Sequence, residues 1–176
     1  MRTSILGALA LLLLLPGLAF AAGMREIPEN PSAAQSSLLP TSEDIQIGRL
    51  ANGLTYVIRE NDQPENRGYL RLVVDAGSVL EDPDQLGLAH FAEHMAFNGT
   101  EDFSGNEIVA FLERLGMEFG PDINAYTSFD ETVYYLEVPT DDPETLESGF
   151  HVLDQWASAI SFEGEEIEKE RGVILE

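Results

Sequence analysis

Two of the three histidines in this chain lie four residues apart, in His90-Phe91-Ala92-Glu93-His94. On an α-helix, positions four apart sit one turn apart on the same face, so both imidazoles can reach one metal ion. Glu93 falls on that face too, within an arc of roughly 100° at 3.6 residues per turn. Leu88, Phe91, Ala92 and Met95 occupy the opposite face and would bury the helix. Two imidazoles favour a zinc-like ion over Ca2+ or Mg2+, which prefer oxygen ligands. A catalytic zinc takes three protein ligands and keeps one position open for water. The chain has no Cys, and His151 stands alone, so the third ligand is expected to be a carboxylate. Zinc held this way brings the pKa of its water towards about 7 and polarises a carbonyl oxygen. Glu93 is placed to take the proton from that water and hand it to a leaving amine. The chemistry predicted is metal-assisted hydrolysis of a peptide bond.

The carboxylate candidates crowd one segment: Glu163, Glu165, Glu166, Glu168 and Glu170. Ile160, Ile167 and Ile174 mark the inward face of a predicted helix, and Glu163 and Glu170 fall between them. Glu165, Glu168 and Lys169 point the other way, onto a solvated face. Two inward carboxylates on an apolar stripe need a partner, and a metal supplies one. Gly164 can interrupt the helix and spoil the phase for Glu163.

The elements that must position these groups are legible from pattern. Ile45 and Ile47, then Thr55-Tyr56-Val57-Ile58, flank Ala51-Asn52-Gly53-Leu54, where Asn-Gly signals a hairpin turn. A third strand is expected over 68–75, and a charged loop over 81–84. The motif helix should run over 86–97 and stop at Asn98-Gly99. A second helix is predicted over 106–115, closed by Gly116. Segments 117–119 and 132–138 read as strands, the latter with Thr132-Val133-Tyr134-Tyr135. Asp142-Pro143 opens a third helix lasting to about residue 160, and a fourth starts near Glu165. Strands, then helices, then another strand predict an α+β domain, mostly antiparallel sheet packed with helices. The fourth helix ends in Val173-Ile174-Leu175-Glu176 with no cap or glycine stop, so the domain over 43–176 is expected to be truncated at its C-terminus.

Composition sets the surroundings. The 176 residues hold 32 Asp+Glu against 9 Lys+Arg, a formal net charge of −23, which repels phosphates and argues against nucleic-acid binding. At 44% hydrophobic residues the chain can bury a core. Without Cys there is no disulfide scaffold, thiol nucleophile or zinc–thiolate finger. Arg2, the apolar run from Ile5 through Leu15, Pro16-Gly17 and Ala19-Phe20-Ala21 read as a secretory signal peptide over 1–21. Its apolar run is shorter than a membrane span, so no stable span is expected. Residues 22–42, rich in Pro, Ser, Ala and Asn, read as a flexible leader. The expected address is periplasmic or secreted.

The motif His-x-x-Glu-His is the inverted zinc motif of the inverzincins, and its surroundings resemble the pitrilysin family, which includes insulin-degrading enzyme and the mitochondrial processing peptidase. The resemblance rests on 87–95, on Phe97-Asn98-Gly99-Thr100, on Asn124-Ala125-Tyr126-Thr127 and on Glu168-Lys169-Glu170-Arg171-Gly172-Val173-Ile174. It implies one Zn2+ per domain with His90 and His94 as ligands and Glu93 as general base. It also implies a third ligand roughly 75 residues after the second His, where Glu170 fits. Glu163 corresponds to an auxiliary acidic residue of the family, with Glu166 competing for that role. Asn124 and Ala125 match the segment where substrate is held in extended form beside an edge strand, a mode that uses main-chain hydrogen bonds and tolerates many sequences. The family builds a chamber from a zinc-bearing half and a similar zinc-free half, so such a half is expected on the same chain or a partner subunit. The resemblance therefore implies a zinc metalloendopeptidase acting on peptides or unfolded segments, with little activity from this stretch alone. The competing readings are a non-catalytic subunit or scaffold partner of an active homologue, and a domain that uses its acidity to store cations.

Overall fold

The computed structural model describes residues 42–174. The signal peptide expected over 1–21, and the leader up to Thr41, lie outside the described residues, as do Leu175 and Glu176. The chain divides after Arg59 into two compact units.

The first unit carries a hairpin. Strands β1 (Ile45–Arg49) and β2 (Thr55–Arg59) pair antiparallel, with Ile45 opposite Arg59 and Arg49 opposite Thr55. Gly53 takes φ of 97°, the left-handed conformation that the Asn-Gly signal anticipates. The Asn52 side chain accepts from the Leu54 N–H at 3.1 Å and closes the turn.

The second unit is α+β. Its sheet has strand order β3-β5-β4, all antiparallel, from β3 (Arg67–Val74), β4 (Ile123–Thr127) and β5 (Thr132–Pro139). Four helices accompany it: α1 (Leu88–Met95), α2 (Glu107–Arg114), α3 (Pro143–Ser158) and α4 (Gly164–Ile174). The period-2 alternation of β5 places Tyr134, Leu136 and Val138 on one buried face. There they join Ile108 and Leu112 of α2 and Val152 and Trp156 of α3 in the core. Asp142 caps α3 by accepting from the Glu144 N–H at 3.0 Å, with Pro143 in the first turn as its fixed φ favours. The Trp156 Nε1–H donates to the Ala96 carbonyl at 3.0 Å, which ties α3 to the end of the motif helix.

Two expectations need correction. Segment 117–119 is not a strand: Met117 is buried in the core and Phe119 forms only an isolated bridge to Ile123. The turn at Gly120-Pro121-Asp122 ends that segment too soon for pairing, and the strand is β4, beyond the turn. Leu88 does not help bury α1, being 54% exposed at the first position of the helix, whereas Met95 is fully buried.

Candidate metal and peptide site

α1 is positioned from both ends. Glu81, in the loop after the 3-10 turn Ser78–Leu80, accepts from the N–H groups of Gly87 and Ala89, each at 2.8 Å. These are donors that a helix start leaves unpaired. The two bonds, Ala89 first, hold the Glu81 carboxyl below its ordinary value. At the other end, Trp156 grips Ala96.

Between these ends His90 and His94 converge as the spacing requires. Their Nε2 atoms lie 3.0 Å apart, with the rings edge to face at 4.5 Å between centroids. Two nitrogens on one tetrahedral zinc, each at about 2.0–2.1 Å, would be about 3.4 Å apart, so the pair is close to the spacing of two ligands. Glu170 of α4 reaches the same helix across 76 residues, with its Oε1 at 2.6 Å from His94 Nδ1. An ionised carboxylate only accepts, so the contact places a proton on Nδ1 and makes Nε2 the nitrogen that would bind a metal. That is the tautomer a metal ligand needs. The other Glu170 oxygen accepts from Asn98 Nδ2 at 2.6 Å. The donor chemistry thus fits a zinc ion: two imidazole nitrogens side by side and a carboxylate against one of the rings. Among the described residues no three His, Cys, Asp or Glu groups meet at one point, because Glu170 faces Nδ1 rather than the paired Nε2 atoms.

Glu93 turns from the same helix towards the sheet. It is 7% exposed, more buried than the histidines beside it, and accepts from Thr127 Oγ1 of β4 at 2.6 Å. The Tyr134 hydroxyl is pushed up to about 12, mainly by burial and then by the Glu93 charge, so Tyr134 stays neutral next to the carboxylate.

The predicted inward pairing of Glu163 with Glu170 does not form. α4 begins at Gly164, so Glu163 precedes it, and its side chain is exposed while its carbonyl accepts from the Ile167 N–H at 2.9 Å. Glu166, half-buried, is taken by Lys169 Nζ at 2.7 Å. Glu165, Glu168 and Lys169 are exposed, as their helical phase anticipates.

Asn124 and Ala125 lie on β4, the edge of the sheet among the described residues. The bonds from Ser128 N–H to the Glu131 carbonyl and from Glu137 N–H to the Asp122 carbonyl set the alternation, so even-numbered residues of β4 bond to β5. The backbone groups of Ile123, Ala125 and Thr127 therefore face the open side. Ile123 is covered there by the Glu118 carbonyl and the Gly120 N–H. The Ala125 N–H is met by Asn124 Oδ1 at 2.9 Å, and Asn124 Nδ2 donates to the Gly120 carbonyl at 3.2 Å. Beside this edge runs an open groove of ≈ 580 Å³ lined by Ser78, His90, Tyr126, Thr127, Ser128 and Phe129.

Three contributors escaped the sequence reading. Thr127 and Asn98 stand in conspicuous motifs, but their partners lie 34 and 72 residues away. Glu81 sits eight residues before Ala89, outside the spacing of any helix-capping pattern.

Comparison with known proteins places these elements. Residues 56–176 match the family described as Insulinase (Peptidase family M16). The chain is 46% identical over 138 residues to the probable zinc protease PqqL of Haemophilus influenzae, covering 78% of this chain and 15% of that protein. Its fold matches the crystal structure of the periplasmic protease PqqL from Escherichia coli with a TM-score of 0.76 and 42% identity, over 78% of this chain and 15% of that one. The structure of the first half of that protease matches with the same TM-score and identity, and the aligned region covers 29% of it. The chain thus spans about 15% of the length of the curated relatives it matches.

Proposed function

Since the chain belongs to the Insulinase (Peptidase family M16) family, we propose that it carries the zinc-binding part of a metalloendopeptidase that hydrolyses peptide bonds in peptides or unfolded segments. The observation that carries this reading is the 3.0 Å approach of His90 Nε2 and His94 Nε2 on one helix, with Glu93 one residue from His94 and buried against the edge strand. His90 and His94 would hold the ion, with Glu170, whose oxygens here meet His94 Nδ1 and Asn98, turning towards the paired Nε2 atoms to serve as the third ligand. Bound zinc would polarise the scissile carbonyl and lower the pKa of the attacking water. Glu93 takes the proton from that water and delivers it to the leaving amine. The Ala125 carbonyl and the Thr127 backbone on the outer side of β4 accept an extended peptide as an added strand, with Asn124 holding the Ala125 N–H and His90 facing the same groove. Glu163, exposed ahead of α4, is free to serve as the auxiliary acid from outside the inward face.

The relatives point to the setting. One structural match is described as the first half of a protease, which supports a second half on the same chain or a partner subunit; the family resemblance makes that half homologous and zinc-free. PqqL is described as periplasmic, and together with the signal-like residues 1–21 this supports export of the present protein. Among the described residues no helix is long and apolar enough to cross a membrane. The decisive experiment is Glu93→Gln in the full-length protein: hydrolysis of an unstructured peptide should vanish while one equivalent of zinc stays bound. Retained hydrolysis would sink the assignment.

A further inference from the structure

We infer that Thr127 is a positioning residue that aims the Glu93 carboxylate at the peptide seated on its own strand; this rests on the reading of Glu93 as general base. Thr127 Oγ1 lies 2.6 Å from Glu93 Oε2 and 3.4 Å from Thr132 Oγ1. The Thr132 hydroxyl spends its proton on the Ala76 carbonyl at 2.9 Å. Thr127 has one hydroxyl proton, and an ionised carboxylate cannot donate, so that proton goes to Glu93. A carboxylate 7% exposed needs such a donor to hold its charge and its rotamer. The backbone of Thr127 faces the open edge of β4 while its side chain turns to α1. One residue thus presents the edge that receives substrate and grips the group that acts on it. The base on α1 is then tied through one hydrogen bond to the strand that receives substrate, which is the kind of alignment that lowers a barrier without tightening binding.

The test compares Thr127→Val, Thr127→Ser and Glu93→Gln in the zinc-loaded full-length protein on an internally quenched peptide, with kcat, KM and zinc content measured separately. Valine keeps the shape and strand preference but removes the donor. It should lower kcat about 10- to 100-fold, the size of one hydrogen bond to a charged group, with KM within about twofold and zinc unchanged. Serine keeps the donor and should restore kcat to within about threefold of the parent. Wild-type kcat in the valine variant, loss of its zinc, or a serine variant as impaired as valine would overturn the inference. An active Glu93→Gln variant would overturn both the inference and the reading of the base, whereas an inactive one beside a fully active Thr127→Val removes the inference alone.

Discussion

Glu170 Oε1 sits 2.6 Å from His94 Nδ1, although 76 residues separate them in the chain. The contact selects the tautomer of His94 and closes α4 against α1, with Asn98 holding the second carboxylate oxygen. α1 therefore has a histidine whose Nε2 faces His90 while its Nδ1 is held by Glu170.

Removing this carboxylate should be felt in metal affinity. Glu170→Gln is expected to weaken zinc binding by at least about 10- to 100-fold, the usual cost of losing a group that orients a metal-binding histidine, and by more where the carboxylate itself ligates. Asn98→Ala, which frees one Glu170 oxygen, should fall between this variant and the parent. Competition with a chromophoric chelator measures both, and unchanged affinity in Glu170→Gln would remove Glu170 from the site.

The clamp at the start of α1 should show in the pH dependence of local stability. The carboxyl of Glu81 is held below its ordinary value by the N–H groups of Ala89 and Gly87. A depressed folded-state pKa means stability that is present above the unfolded value and lost as pH falls through the folded one. Glu81→Gln should therefore speed hydrogen exchange over 89–93 at neutral pH. The gap from the parent should close on acidification past the normal carboxylate range. A gap that stays constant between pH 7 and pH 3 would contradict the clamp.

Gly77 fixes the wall of the groove. A Cβ there would meet the Ser128 carbonyl oxygen at 2.4 Å and the Phe129 carbonyl oxygen at 2.7 Å, both backbone atoms. The adjacent N–H groups of Ser78 and Val79 donate to those same two carbonyls. Gly77→Ala must push the β4–β5 hairpin away, so KM for peptide should rise severalfold while zinc content holds. An unchanged KM would show that Ser128 and Phe129 do not border the bound substrate.

Local pattern carried much of this protein. The two histidines and Glu93 share the face of α1 that their spacing implies, and the Asn-Gly turn, the Asp-Pro start of α3 and the alternation of β5 all form where they are written. The misplaced strand at 117–119 shows the limit: its side chains suit a strand, but Gly120-Pro121-Asp122 turns the chain before it can pair. Glu163 shows another. The seven-residue recurrence of isoleucines takes no account of where a helix begins, and α4 begins after it.

What the amino-acid order determined by itself is the chemistry on offer, because periodicities of 2 and 3.6 act over a few residues and need no partner. What the tertiary structure decided is how those groups face one another. The choice of Thr127 as the donor to Glu93, of Glu170 as the acceptor from His94, and of β4 as an open edge depends on contacts between residues 34 to 76 apart. Such contacts follow from how helices pack on a sheet, a consequence of the buried core as a whole rather than of any short stretch of chain.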